Sequence, residues 1–267
     1  SGSAALPAAV LNAIIDCPPM VVVWKSESRT IKFVDTLNIW RTSLEALGES
    51  LGIKKLDMPK NSASAEEWDT YCKRDVEVIR VALLTWLQFL QDNDLGGFSV
   101  TLASQAFNSY RHRFMPTGIF MHDRKRALEV ERRAYVGGRT ECFKMGEHKG
   151  KFYYIDVNSM YPSVMFTEEY PCKLVDSYDD VTHKELGEWL DKWGVIADVV
   201  IETDVPVYPK IHDSKLIFPV GTFETSLAGP ELRHAYEHDH IKSIGHTCLY
   251  EMAPLFKDFI AFMYMSR

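Results

Sequence analysis

The feature that most constrains the fold is a long amphipathic segment that begins at Ser64. Ser64 suits the N-cap of a helix, and Glu67 three residues later completes a capping box, in which the two side chains satisfy backbone N–H groups at the helix start. Apolar side chains then recur at helical spacing as far as Leu90, and a polar, glycine-containing stretch over 92–97 ends the pattern. The spacing predicts the strongest helix of the chain over residues 64–90.

Shorter patterns on either side of this helix predict a mixed fold. Continuous or alternating apolar residues predict strands, and apolar residues spaced three or four apart predict helices. The predicted strands cover residues 20–24, 30–35, 151–157 and 195–202, and residues 216–223 are predicted to form two strands with a turn at Gly221 between them. The other predicted helices cover 43–52, 102–113, 230–238 and a last segment from about 254 to 267. A hairpin with helices, followed by an α+β region and with a seam near 94–101, predicts an α+β fold class.

Composition indicates an ordinary soluble protein of one large or two small domains. The chain has 267 residues, of which 46% are hydrophobic and 25% charged. Five cysteines, well separated along the chain, argue against a zinc clip or a disulfide scaffold. We therefore expect a reducing compartment: host cytoplasm, nucleus or mitochondrion, or a virus-encoded protein. No membrane span is expected, and Ser1-Gly2-Ser3 is typical of a cloning remnant.

Positive charge is concentrated in one part of an acidic chain. The formal net charge is −7, yet residues 110–151 hold eleven Lys or Arg against five acidic residues. A basic stretch inside an acidic protein favours one docking face for a polyanion. A solvated surface would account for the same charge pattern.

An aspartate at the end of a predicted aromatic strand is a candidate metal ligand. Residues 153–155 are Tyr, Tyr and Ile, Asp156 follows them, and a polar turn leads to Pro162, which suits the first turn of a helix. Carboxylate oxygens at strand ends can bind Mg²⁺. Asp156 could equally cap the following helix.

Three short motifs resemble those of family B DNA polymerases, in the same order. Residues 156–163, DVNSMYPS, are similar to motif A, with Met160 in place of the usual leucine. Residues 135–138, YVGG, resemble the YxGG motif between the exonuclease and polymerase domains. Tyr71 and Asp75 match the third exonuclease motif, YxxxD. The residues Asp-Val-Asn-Ser of motif A and the compact spacing of the three motifs look closest to the protein-primed branch of phages, adenovirus-like viruses and linear plasmids.

The resemblance implies a domain order. Residues 4–98 would be the C-terminal part of an RNase H-like 3′–5′ exonuclease domain. Residues 99–150 would form a connecting region with the basic YxGG segment. Residues 151–267 would begin a polymerase palm, with motif A and the start of an insertion that contacts DNA and a terminal priming protein in the protein-primed branch.

For the exonuclease, the resemblance implies catalytic roles for Tyr71 and Asp75. Their spacing places them on one helical face, where Asp75 would bind a metal and the Tyr71 hydroxyl would hold the attacking water. An ordinary surface pair is the simpler reading of this spacing. The earlier DxE motif of the family is not found before Asp35, so the site is expected to be incomplete.

For the polymerase, the resemblance implies that Asp156 is catalytic and that Asp156 and the Val157 carbonyl bind Mg²⁺ or Mn²⁺, two ions per active site. Residues that shape the nucleotide pocket would be Asn158, Ser159, Met160 and Tyr161. Tyr161 would exclude a 2′-hydroxyl and so select a dNTP. The implied activity is addition of dNTPs to a primer.

The YxGG segment is implied to bind the DNA template-primer. Glycines allow close approach of the backbone to a sugar-phosphate chain, and arginines contact phosphates. The implied DNA-binding residues are Tyr135, Gly137, Gly138, Arg132, Arg133 and Arg139.

Two further polymerase motifs, Lys…Asn-Ser-Xaa-Tyr-Gly and Asp-Thr-Asp, are missing. We therefore expect an interior piece of a polymerase that is inactive alone. One alternative is a non-catalytic, polymerase-derived module that binds nucleic acid or protein. Another is an unrelated metal-dependent nuclease that uses Asp75 and Asp156 together.

Overall fold

A computed structural model describes residues 10–15, 19–116 and 118–266. The chain divides into two compact units, Ser1–Met115 and Pro116–Arg267. The boundary between the units lies C-terminal to the predicted seam at 94–101. The helix that follows the seam stays in the first unit because it is hydrogen-bonded to a residue of the seam: Ser109 Oγ donates to the Leu95 carbonyl at 2.9 Å. Ser1-Gly2-Ser3 lies outside the described residues.

The first unit contains a small antiparallel sheet. Its strand order is β1-β2-β3, so the predicted hairpin is confirmed and one strand is added to it. Val21 and Val23 are buried, and Val21 pairs with Val34. The strands are β1 (Val10–Ile15), β2 (Val21–Lys25) and β3 (Thr30–Val34).

Three helices complete the first unit, and the long one carries the predicted capping box. Ser64 Oγ accepts from the Glu67 N–H at 3.2 Å, and the Glu67 carboxylate accepts from the Ser64 N–H at 2.8 Å. Helical spacing buries Val78, Ala82 and Leu90. The helices are α1 (Leu44–Ser50), α2 (Ala65–Asp92) and α3 (Leu102–Ser109), the last continuing as a π-helical turn over Tyr110–Phe114.

The second unit is built on a four-stranded antiparallel sheet of order β4-β9-β5-β8, beside a two-stranded hairpin of β6 and β7. The strands are β4 (Tyr170–Tyr178), β5 (Gly194–Thr203), β6 (Lys210–His212), β7 (Lys215–Ile217), β8 (Gly221–Ala228) and β9 (Ile241–Ala253). The helices are α4 (Lys125–Ala134), α5 (Met160–Thr167), α6 (His183–Leu190), α7 (Gly229–Glu237) and α8 (Lys257–Met265).

Helices cover both faces of this sheet. Alternate residues of β5, from Val195 to Ile201, pack against α6 and α7 through Leu186 and Leu232. On the opposite face, α4 packs its buried side chains against β9 and Ile196 of β5. The apolar contacts of α4 are made by Ala127 and Val130 with Cys248 and Tyr250.

The strand predicted over residues 151–157 is wrong. These residues are exposed coil, and they pair with none of the described strands. Tyr154 is 97% exposed and Ile155 is 85% exposed. A strand needs a neighbour to complete its hydrogen-bond ladder, and an aromatic sequence does not supply one.

Cys72, Cys142, Cys172 and Cys248 are unpaired thiols, and Cys17 lies outside the described residues. Within the described part of the chain, helices that are both long enough and apolar enough to cross a bilayer do not occur.

Replacement of the α2 cap tests this account of the fold. Ser64→Ala should lower the free energy of unfolding of the first unit by about 1 kcal/mol, because the Glu67 backbone N–H loses the hydroxyl that accepts its hydrogen bond. The hydrogen bonds from Ser64 hold the pKa of the Glu67 carboxyl below its ordinary 4.5. The effect should therefore be complete above pH 4.5 and shrink as the pH falls through the lower pKa of the folded state.

Urea unfolding followed by far-UV circular dichroism at several pH values measures this difference. Ser62→Ala, an exposed position in the preceding turn, is the matched control and should leave the transition unchanged. Equal transitions for the two variants would contradict the capping box.

Candidate functional site

The YxxxD residues of α2 meet a lysine that the sequence analysis did not identify. Lys55 Nζ donates to the Tyr71 hydroxyl and lies 3.4 Å from Asp75 Oδ1. The side chains of Lys55 and Asp75 are 21% and 24% exposed. Because Tyr71 and Asp75 lie one helical turn apart, one ammonium group can contact both.

The loop before α2 delivers this lysine. Arg74 Nη1 donates to the Lys54 carbonyl at 3.1 Å, which ties the loop to the helix next to Asp75. The hydrogen bond with Tyr71, followed by the hydrogen bond and charge of Asp75, raises the pKa of Lys55 above its ordinary value. Asp75 Oδ1 is a buried oxygen, and Lys55 Nζ lies 3.4 Å from it. The ammonium group therefore supplies its counter-charge.

The motif A segment lies at the start of α5. Asp156 and Val157 are in exposed coil, and the Val157 carbonyl accepts from the Met160 N–H at 3.3 Å. Ser159 takes a left-handed conformation with φ of 56°, which turns the chain into the helix. Tyr161 is 79% exposed. The segment thus presents a free carboxylate and a free aromatic ring close together in the chain.

Two of the residues implied in nucleotide binding also line a groove beside α8. Asn158 and Ser159 line this groove, which has a volume of about 450 Å³. Phe166 of α5 and Ile260 and Tyr264 of α8 provide much of its apolar wall. Docking of α8 on α5 therefore shapes the surroundings of the motif A turn.

The described residues do not bring three or more metal-ligating side chains together anywhere. Asp75 and Asp156 each offer one carboxylate, without the further acidic residues that a two-metal centre needs. The described part of the chain therefore does not by itself fit a two-metal site.

Much of the basic stretch is neutralised within the second unit. Four arginines on or near α4 pair with carboxylates, three of them at 2.6–2.7 Å between nitrogen and oxygen. The pairs are Arg124 with Asp176, Arg126 with Asp179, Arg133 with Asp198 and Arg139 with Glu141. The local excess of positive charge in the sequence is thus larger than the charge left unpaired in the fold.

The six residues implied in DNA binding differ in their exposure and in the contacts that they make within the protein. Arg133 donates to Asp198 and Ser226, and Arg139 donates to the Pro206 carbonyl at 2.7 Å. Arg132 is exposed and makes no ion pair within the described residues. Tyr135 is 85% exposed at the end of α4. Gly137 and Gly138 have open space where a Cβ atom would stand.

A comparison with known protein families identifies a family for most of the chain. The model of the family described as DNA polymerase type B, organellar and viral, matches residues 38–267. The chain therefore belongs to this family of polymerases.

Solved structures of one phage polymerase share the fold. The chain is 17% identical to Phi29 DNA polymerase complexed with primer-template DNA and incoming nucleotide substrates, with a TM-score of 0.62 over 91% of this chain and 47% of that chain. A post-translocation binary complex of Phi29 DNA polymerase with primer-template DNA gives 18% identity and a TM-score of 0.56, over 92% of this chain and 46% of that one. A complex with single-stranded DNA gives 17% and 0.55, with the same coverage.

These matches confirm the predicted fold class, which combines exonuclease and palm regions. The chain spans about half the length of the matched polymerase. A search among curated proteins found no match.

Lys55 is the main site residue that sequence reasoning missed. It lies 16 residues before Tyr71, in a loop without helical or strand periodicity. Its only local signal is a position shortly before the capping box of α2. The contact depends on the fold of the loop, which no spacing rule describes.

Removal of the lysine charge should destabilise the first unit. Lys55→Met leaves the buried Asp75 oxygen without a counter-charge, which should cost roughly 1–3 kcal/mol of unfolding free energy. The double variant Lys55→Met/Asp75→Asn should recover part of this loss, because the buried charge is gone. Urea unfolding of the four proteins measures the coupling, and strictly additive effects would contradict the contact.

Proposed function

We propose that the chain is part of a DNA-directed DNA polymerase that adds dNTPs to a primer, with an associated 3′–5′ exonuclease. The observation that carries this proposal is the family match over residues 38–267. Motif A, the YxGG segment and the YxxxD pair all lie within that range and in the order of the family. A protein-primed polymerase is the branch that the Phi29 likeness supports.

In the exonuclease region, Tyr71 and Asp75 are the proposed catalytic pair. The Tyr71 hydroxyl would align the attacking water, and Asp75 would act as a carboxylate ligand. Lys55 contacts both groups, so it would fix their relative positions and stabilise negative charge beside them. This role of Lys55 follows from the contacts around its Nζ atom.

In the palm region, Asp156 is the proposed catalytic carboxylate. Its exposure leaves the oxygens free to act with residues from the rest of a polymerase. Asn158, Ser159, Met160 and Tyr161 would form part of the nucleotide pocket. Because the Tyr161 ring is exposed, it can lie against the sugar of a dNTP and exclude a 2′-hydroxyl.

Family B polymerases generally use divalent metals. We propose Mg²⁺ or Mn²⁺ as the cofactor, with Asp156, the Val157 carbonyl and Asp75 as ligands at their respective sites. When bound, such ions would supply positive charge beside the phosphate of the nucleotide. In each site, further carboxylates would have to complete the ligand set.

The end of α4 and the YxGG segment are the proposed nucleic-acid interface. Arg132 has no ion-pair partner among the described residues, Tyr135 offers an exposed ring, and the two glycines allow close approach of a phosphate chain. The Phi29 structures contain primer-template DNA, nucleotides or single-stranded DNA, which supports DNA and dNTPs as partners. A terminal priming protein would contact the region that follows motif A.

DNA binding should depend on Arg132 more than on its paired neighbours. Arg132→Gln should weaken binding of a single-stranded oligonucleotide and reduce the slope of log affinity against log salt by about 1, since one phosphate contact is lost. Arg133→Gln should have a smaller effect, because Arg133 already pairs with Asp198. Fluorescence anisotropy across a salt series measures both quantities.

Lys184→Gln is the matched control, since Lys184 is an exposed cation on α6, on the other face of the sheet. Equal affinity for the wild type and the Arg132 variant would contradict the proposed interface.

The chain by itself should neither extend a primer nor degrade single-stranded DNA at appreciable rates. The described residues lack a cluster of metal-ligating side chains, so charge on the phosphate would remain uncompensated. Primer extension and exonuclease assays with Mg²⁺ and Mn²⁺ test this, with Asp156→Ala and Asp75→Ala as controls. Incorporation of dNTPs that disappears in the Asp156 variant would show that the active site is complete.

A further inference from the structure

A buried polar network binds the last turn of α4 to the sheet. The Tyr250 hydroxyl on β9 donates to Glu131 Oε1 at 2.6 Å. His122 Nε2 lies 2.8 Å from the same oxygen. Tyr250 is 4% exposed, and the side chains of His122 and Glu131 are 19% and 27% exposed. Two groups from outside the helix therefore meet on one carboxylate of the helix.

The Tyr250 hydroxyl is the donor of this network. Burial, and then the hydrogen bond with Glu131, raise the pKa of Tyr250 far above its ordinary value, so its hydroxyl keeps its proton. His122 Nδ1 is buried and has no hydrogen-bond partner within the described residues, so the contact of His122 with Glu131 is made through Nε2.

Glu131 also holds the start of the YxGG segment. Its carbonyl accepts from the Tyr135 N–H at 3.0 Å, the bond that ends α4. Arg132, the next residue, belongs to the same helical turn. The side chain of Glu131 therefore fixes that turn to β9, and its backbone fixes the adjoining residues of the interface.

We propose that Tyr250 and Glu131 are positioning residues for DNA binding, which hold the last turn of α4 so that Arg132 and Tyr135 face the nucleic acid. This inference rests on the proposed DNA interface. Neither Tyr250 nor Glu131 contacts DNA in this arrangement. Their effect on affinity passes through the orientation of residues 131–135.

Tyr250→Phe tests the proposal, because it removes the hydroxyl and keeps the ring packed against α4. The affinity for a single-stranded oligonucleotide should fall about fivefold, and the salt slope should move toward that of Arg132→Gln. Tyr208→Phe is the matched control. Tyr208 is 1% exposed, its hydroxyl bonds to His234 and His240 at 2.9 and 2.7 Å, and it belongs to the core on the other face of the sheet.

A double-mutant cycle separates positioning from a loss of stability. In the Arg132→Gln background, Tyr250→Phe should lower the affinity by a smaller factor than in the wild type, because one of the two contacts that it positions is already gone. The control Tyr208→Phe should leave affinity unchanged in both backgrounds. Unfolding curves confirm that each variant is folded at the assay temperature, and Glu131→Gln replaces Tyr250→Phe if the latter is not.

The outcomes distinguish this inference from the proposed function. If the wild type does not bind DNA, or Arg132→Gln binds as the wild type does, the interface itself is wrong and the inference falls with it. If Arg132→Gln weakens binding but Tyr250→Phe does not, only the positioning role is overturned. Equal losses for Tyr250→Phe and Tyr208→Phe, or additive losses in the double variant, would overturn it as well.

Discussion

The second unit depends on burial of β5 from both sides. Alternate residues from Val195 to Ile201 face α6 and α7. Ile196 and Asp198, which lie on the opposite face of the strand, face α4. Asp198 pairs with Arg133 and accepts from Ser226, its partner across the strands. Helix α4 therefore cannot shift along the sheet without exposing apolar surface and separating an ion pair. This constraint fixes the position of every group at the end of the helix.

The same constraint changes how the basic stretch should be understood. Most arginines on or near α4 that could bind phosphate instead form ion pairs within the second unit. Exposed ion pairs of this kind contribute little free energy individually, but they set which cations remain available. An arginine that forms no ion pair within the protein is available to pair with a phosphate. The distribution of unpaired charge, rather than the sum, defines the interface.

Local signals predicted much of the fold. The capping box at Ser64 and the apolar spacing after it specify α2 without reference to any distant residue, and the structure shows both. The apolar run at Val195 likewise marks a strand, β5, whose alternate residues from Val195 to Ile201 are buried. The motifs identified the family for the same reason, since each is a short, continuous pattern.

Features that depend on distant partners could not be predicted in this way. Residues 151–157 have the composition of a strand, but pairing is a property of two segments, and the described residues contain no partner for them. The contact of Lys55 with Tyr71 needs a loop to return to α2. The bond between Tyr250 and Glu131 joins residues 119 positions apart. The periodicity of apolar residues does not predict tertiary contacts of this kind.

The exposed stretch from Phe152 to Ile155 has a practical consequence for the isolated protein. Its four apolar side chains are between 73% and 97% exposed, and their backbone groups belong to none of the described strands. Contiguous apolar surface with unpaired backbone favours association between molecules. Concentrated solutions should therefore contain self-associated species, and mild detergent or an acidic residue in place of Tyr154 should keep the chain monomeric.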